Sequence, residues 1–281
     1  MKMRKIKSFK ILFVSVMVSS FAFFGGCKQQ GTPLLVGKED GNTLIETPSK
    51  TADEYTPTEN LFAVAGKMRR VNYRAETTGK VTSKVAFIHY EQKMTDVKIQ
   101  SGGEIYFEAR STSTLVKVGL RAFLSGEKAV TKKAENVAED RWSTHLSPMS
   151  KTEYLEKYGV DPAWLTNYVL NGETVLSGEL ISSENGVYVC RYTIDPVAGT
   201  AAYRVKMKEF GSLNSLPEIK SCTLELSFDS AWTPIYLKAE DKYTISLVGE
   251  MNCVSVLTQT FSAIGEDVEI PDAENYRAAL K

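Results

Sequence analysis

This chain has little of what catalysis and metal binding draw on. It has two histidines, His89 and His145, and neither stands in an H-x-x-H or H-E-x-x-H spacing. Two imidazoles supply too few ligands for most histidine metal sites, so neither a metal nor another cofactor is expected. No G-x-S-x-G elbow, P-loop or post-strand G-x-G-x-x-G occurs, which removes the common nucleophile and phosphate-cradle signatures. Cysteine is sparse: Cys27, Cys190, Cys222 and Cys253, with no C-x-x-C. The last three lie in strand-like segments and read as buried apolar thiols, with a Cys222–Cys253 bridge as the alternative. The acidic pairs Glu139-Asp140 and Glu240-Asp241 fall at expected strand ends, where neighbouring carboxylates are usually solvated surface rather than a facing glycosidase pair. A non-catalytic protein is therefore expected.

An excess of positive charge is also missing. The chain carries 34 basic and 34 acidic residues. Five of the basic ones (Lys2, Arg4, Lys5, Lys7, Lys10) precede residue 11, so removing residues 1–26 leaves 29 basic against 34 acidic residues. Such a balance argues against nucleic acid or an anionic membrane surface as an electrostatic partner. No apolar run reaches the roughly 20 residues that a membrane-crossing helix needs. The longest is the 14-residue stretch Ile11–Phe24, followed by Gly25-Gly26-Cys27. A basic start, a short apolar run and small residues make a secretory signal. The ending Phe24-Gly25-Gly26-Cys27 resembles a bacterial lipobox, with Phe24 where leucine is usual. That resemblance implies cleavage before Cys27, a diacylglyceryl group on Cys27, and an extracytoplasmic protein anchored to the bacterial cell membrane. Two acyl chains hold where one is marginal.

After Cys27, residues 28–55 are polar and turn-rich and are expected to form a flexible tether, so that 27–55 is tether and 56–281 a single folded domain. Thr56-Pro57-Thr58-Glu59 opens a capping box with proline at the first helical position, and Leu61, Val64, Ala65 and Met68 recur at helical spacing. A helix is expected over 57–70. Alternation then predicts strands at 73–81, 84–93, 104–110 and 115–123, joined by short turns as an antiparallel meander. A second capping box, Ser150 with Glu153, predicts a helix over 151–158 ended by Gly159. Asp161-Pro162 predicts another over 162–170. Strands at 173–182 and 187–194 flank Asn185-Gly186, a hairpin turn signal, and a helix is expected over 200–210. Strands return at 222–228, 234–240, 242–249 and 252–263, and Pro271-Asp272 is expected to cap a last short helix. The fold class is α+β: a strongly curved antiparallel sheet with helices on its concave face.

Aromatic residues crowd the middle of the chain. Tyr158, Trp164 and Tyr168 lie on the expected central helices, Phe228 and Trp232 on the strands after them. Most such side chains fill a core. A strongly curved sheet, however, leaves more room than two short helices fill, and that room is a site for a hydrophobic ligand lined by these five residues.

The helix-then-meander at 57–130, the segment Leu224–Leu237 (LELSFDSAWTPIYL) and the ending Phe261–Ala273 (FSAIGEDVEIPDA), together with the lipobox, resemble bacterial lipoproteins of the LolA, LolB and LppX type. They look closest to envelope lipoproteins of Gram-positive anaerobes. The resemblance is diffuse, spans most of 56–276, and carries no catalytic residue. It implies a half-barrel that cradles acyl chains or sits against another envelope component. Three readings follow: a membrane-anchored binder or carrier of a lipid or other hydrophobic ligand, an envelope interaction or sensory module without a cavity, and, least supported, a hydrolase. The sequence is silent on oligomeric state.

Overall fold

The computed structural model describes residues 41–281, apart from 86–87, 115–116, 212 and 247–249. The signal, Cys27 and the first part of the tether lie outside the described residues.

The first half runs α1 (Pro57–Met68), β1 (Tyr73–Val85), β2 (Ile88–Ser101), β3 (Glu104–Thr112), β4 (Lys117–Ser125), β5 (Lys128–Asn136), β6 (Arg141–Trp142), β7 (Ser147–Ser150) and α2 (Lys151–Tyr158). The second runs β8 (Val175–Glu184), β9 (Val187–Ile194), α3 (Ala201–Gly211), β10 (Glu218–Asp229), β11 (Pro234–Ser246), β12 (Glu250–Ser262) and α4 (Ala273–Ala279). The strands form one antiparallel sheet in the order β6-β5-β4-β3-β2-β1-β12-β11-β10-β9-β8, with β7 paired to β5. Two sequential meanders are thus joined by one long-range pairing, β1 with β12, from Arg74 opposite Ser262 to Lys84 opposite Asn252. The sheet is not closed, and β6 and β8 are its ends.

Both capping boxes form. Thr56 Oγ1 accepts from Glu59 N at 3.2 Å while Glu59 accepts from Thr56 N at 2.8 Å. Ser150 and Glu153 do the same at the start of α2. Each satisfies donors that a helix N-terminus otherwise leaves unpaired. At the end of α1, Gln100 Nε2 of β2 lies 2.9–3.1 Å from the carbonyls of Met68, Arg69 and Val71, tying the helix exit to the sheet. Asn185 and Gly186 take φ of 53° and 73°, the left-handed pair a tight hairpin turn needs between β8 and β9.

The face of each strand is set by its alternation. On one face lie Ala75 of β1, Lys98 of β2, Phe107 of β3 and Ala122 of β4, which are cross-strand neighbours. The same face carries Leu257, Ala239, Leu224 and Tyr192 of β12, β11, β10 and β9. These residues bury against Leu61, Val64 and Met68 of α1, the segment 160–170 and Tyr203 of α3. Phe107 and Ala122 bury against Tyr154 and Tyr158 of α2. On the opposite face Ile99, Tyr106, Phe123 and Val130 are covered by Ile270 and Tyr276. Tyr276 stacks on Phe123 with ring centroids 5.4 Å apart. Helix α4 therefore lies across the sheet from α1–α3, where all helices were expected on one face. Its cap also differs: Asp272 sits in the left-handed region and makes no side-chain cap bond.

The helix expected over 162–170 does not form. The segment turns through bends because its polar groups find other partners. Asp161 Oδ1 accepts from Ala163 N, Thr166 Oγ1 folds back onto Tyr168 N, and Val169 N donates to Gly199 O at 2.9 Å. Two strand breaks are also absent. β1 runs on through Thr82 and Ser83, and β11 runs unbroken through Asp241. Residues 42–55, inside the expected tether, are docked on the domain: Thr43 N donates to Leu170 O, Ile45 N to Phe62 O, and Ala52 is buried.

Candidate functional site

One cleft stands out where the sheet meets the layer formed by α2, residues 160–168 and α3. The sheet contributes Thr77, Asp96, Lys98, Phe107, Leu237, Ala239, Leu257 and Gln259 as its floor. Because these residues come from five adjacent strands, β3-β2-β1-β12-β11, the sheet curves around the covering layer. That layer contributes Tyr154, Tyr158, Trp164, Tyr168, Lys206 and Phe210 among others. The cleft holds about 70 Å³, room for a few waters, against the roughly 300–1,000 Å³ of a small-molecule pocket. The large hollow expected under the curved sheet is thus mostly filled by side chains.

Three of the five sequence-nominated residues, Tyr158, Trp164 and Tyr168, line this cleft. Phe228 does not: it is fully buried elsewhere and stacks on Tyr188 at 5.3 Å between ring centroids. Trp232 does not either. It sits in the β10–β11 turn, donating from Nε1 to Asn60 Oδ1 at 2.8 Å and tilted against Tyr55.

What sequence reading missed is the charge in the cleft. Lys98 is 6% exposed and donates to the Trp164 carbonyl at 2.6 Å, with Nζ 5.4 Å from the Tyr73 ring centre. Lys206 donates to Asn167 Oδ1 at 2.9 Å, with Nζ 4.6 Å from the centre of the Phe107 ring. Asp96 faces both, two residues along β2 from Lys98. Asp161 is held by Lys151 at 2.8 Å. Burial pushes the Lys98 ammonium down to about 8, against the opposing pull of Asp161 and Asp96. Burial likewise lowers Lys206, opposed by Asp96 and helped by Lys98. Burial raises the Asp96 carboxyl, opposed by both lysines. Three polar atoms of cleft residues, Tyr158 Oη, Trp164 Nε1 and Asp161 Oδ2, are buried with no hydrogen-bond partner among the described residues, although Asp161 Oδ2 is ion-paired with Lys151. Asp96, Lys98 and Gln100 share the parity of the buried face, and Lys206 stands three residues after Tyr203 and four before Phe210 on α3. Those spacings were the available signal.

Beside the cleft, Asp241 is wholly buried on the inner face of β11. Its Oδ1 accepts from Tyr168 Oη at 2.6 Å and from Cys222 Sγ at 2.8 Å. Burial pushes its carboxyl up to about 6 although the Cys222, Tyr168 and Tyr203 side chains stabilise the charged form. Cys190, Cys222 and Cys253 are all free and buried, so no Cys222–Cys253 bridge forms. His89 and His145 are exposed. Among the described residues no group of three His, Cys, Asp or Glu side chains comes together as a metal site, and no helix is long and apolar enough to cross a membrane.

No protein-family model and no curated protein matches the chain. Solved structures do resemble it. One is a DUF1329 family protein from Desulfovibrio piger, at 11% identity, covering 81% of this chain and 100% of that one with a TM-score of 0.30. A second is a LolA superfamily protein from Nitrosomonas europaea, at 13% identity, covering 78% and 97% with a TM-score of 0.26. A third is an outer membrane lipoprotein-sorting protein domain from Vibrio parahaemolyticus, at 9% identity, covering 73% and 90% with a TM-score of 0.27. Superpositions this loose carry no conclusion about ligand or activity.

Proposed function

We propose that this chain is an extracytoplasmic protein of the bacterial envelope, anchored by lipid on Cys27, that binds an amphiphilic ligand at the cleft without transforming it. The observation that carries the reading is the cleft itself. Its aromatic walls, Phe107, Tyr154, Trp164 and Phe210, meet the buried Lys98, the half-buried Lys206 and the carboxylates of Asp96 and Asp161. Charged groups set against aromatic walls in a cleft suit a ligand with a polar and an apolar part. The small resting volume suits one end of a ligand rather than a whole lipid.

Native mass spectrometry of the full chain purified from membranes tests the reading. A bound species that ejects an amphiphile on activation supports it. A bare protein mass, after extraction in a detergent that preserves ligands, overturns it. The anchor is tested separately: Cys27→Ala should move the folded protein out of the membrane fraction, and retention there would refute lipidation at Cys27.

A second reading has its own observation. The edge strand β8 exposes Leu176 (56%), Leu180 (50%) and Ile181 (43%), and an open edge offers unpaired backbone groups for strand addition. Two register shifts, between Val175 and Ser177 and between Leu180 and Ser182, twist that edge and weaken it as a template. The cleft is therefore preferred.

A further inference from the structure

Helix α1 is covered on more than its sheet side. Seven consecutive residues, Asn60–Gly66, are buried, although a helix lying on a sheet normally leaves one face in water. The extra cover comes from residues 42–46, which pass along α1 as a strap. Ile45 N donates to Phe62 O at 3.0 Å, Arg70 Nη2 donates to the Glu46 carbonyl, and Leu44 borders a small space together with Ala65 and Arg69. Phe62, Ala65, Gly66 and Arg69 have the spacing of one helix flank. Gly66 permits the close approach, since a Cβ there would lie 2.5 Å from the Ile45 carbonyl oxygen. On its other side the strap is held by Leu170, whose carbonyl accepts from Thr43 N at 2.7 Å and whose N–H donates to Asn42 Oδ1 at 2.5 Å. The strap thus lies like a bound peptide in a groove, tied mainly through main-chain groups.

This strap is the least buried part of the arrangement. No residue from 42 to 51 is fully buried, whereas Phe62, Ala65, Leu165 and Leu170, which border it, are. Segments with few buried contacts open at the least cost. Beside Leu44 a space of about 10 Å³ remains, no more than one water needs. Trp164, Leu165 and Tyr168 line that space and also line the cleft, so one layer of side chains separates the two. The cleft holds about 70 Å³ and carries Asp96, Lys98, Asp161 and Lys206, which suits the polar end of a ligand. The groove under the strap, bordered by Ala65, Ala163, Leu165 and Leu170, suits an apolar end.

We propose that residues 42–46 are a displaceable cover over the apolar half of the ligand site. The hydrocarbon part of the ligand takes the place of Leu44 and Ile45 between α1 and residues 163–170, while its polar end stays at the cleft. This rests on the amphiphile reading above and adds where the apolar end goes and what gates it. Strap and ligand compete for one groove, so the apparent affinity is the intrinsic affinity reduced by the fraction of molecules whose strap is open. Weakening the strap raises that fraction.

Decanol titrated into the purified full chain, followed by calorimetry and by amide exchange, tests the proposal. In the unmodified protein, bound decanol should speed exchange of the Thr43 and Ile45 N–H groups at least tenfold, because both donors leave the groove. Gly66→Ala crowds the Ile45 carbonyl, and Leu44→Ser removes an apolar anchor from the strap but nothing from the groove. Each should bind decanol severalfold more tightly than the unmodified protein. Decanol binding that leaves exchange at Thr43 and Ile45 unchanged or slower, or that Leu44→Ser weakens, overturns the cover and leaves the amphiphile reading standing. Decanol bound by the two variants alone supports a cover that is closed at rest. Decanol bound by none of the three proteins overturns both. Should a variant fail to fold, exchange in the unmodified protein still decides.

Discussion

Asp241 carries the sharpest prediction about this fold. Its carboxyl is fully buried, accepts from Tyr168 Oη and Cys222 Sγ, and is pushed up to about 6 from 3.8. The folded chain therefore holds this proton more tightly than the unfolded chain does. Between about pH 4 and pH 6 the folded state binds more protons, so the unfolding free energy falls as pH rises through that window and is unaffected by this group outside it. A shift of about two units corresponds to about 3 kcal/mol. Asp241→Asn keeps the acceptor for Tyr168 and Cys222 but cannot ionise. The added N–H₂ must find a partner beside Tyr203, which offsets the variant's own stability. That offset is constant with pH. Urea denaturation of both proteins at intervals from pH 4 to pH 7.5 isolates the charge, since every other carboxylate cancels in the difference. The original protein should gain about 2 kcal/mol relative to the variant on going from pH 7 to pH 4, because the unfolded carboxyl is only partly protonated at pH 4. A difference that stays constant, or that moves the other way, would refute the reasoning that an unneutralised carboxylate is buried at this position.

Other substitutions follow from the packing. Phe228→Ala should cost about 3–5 kcal/mol in chemical denaturation, because Phe228 is fully enclosed, whereas Trp164→Ala at the half-buried cleft wall should cost clearly less; equal losses would contradict the assigned burial. Thr56→Ala removes one side of the α1 capping box and should lower stability by about 1 kcal/mol, with Thr56→Ser restoring it. At Gly66 an added Cβ would lie 2.5 Å from the Ile45 carbonyl oxygen. Gly66→Ala should therefore loosen residues 42–46 and speed amide exchange at Ile45, whose N–H donates to Phe62 O; unchanged exchange would place that contact elsewhere.

Much of the fold was legible because local signals and tertiary demands agree in most elements. The capping boxes at Thr56 and Ser150 and the Asn185-Gly186 turn are each written within four residues and appear as expected. Reading failed where a local polar group serves a distant partner. Asp241 looks like a turn residue but is matched by Tyr168 and Cys222 from other elements, so β11 continues through it. Asp161-Pro162 looks like a helix start, yet Thr166 and Val169 bond away from a helical ladder. The candidate site divides in the same way. Tyr158, Trp164 and Tyr168 were visible as an aromatic concentration, while no local motif marks Asp96, Lys98 or Lys206.

By itself the sequence determined the α+β class, the antiparallel character of the strands and the bounds of the helices that form to within about two residues, since those rest on periodicity and capping within a few residues. It also carries the case for an anchor at Cys27, which needs no fold. Only the tertiary structure decided that β1 pairs with β12, which joins residues almost 190 positions apart along the chain. That one pairing sets the two meanders side by side and turns Lys98 and Asp96 toward α3. Alternation assigns a residue to a face. Whether that face meets water, a core or another charge depends on which strand and helix arrive opposite, and no local pattern encodes that.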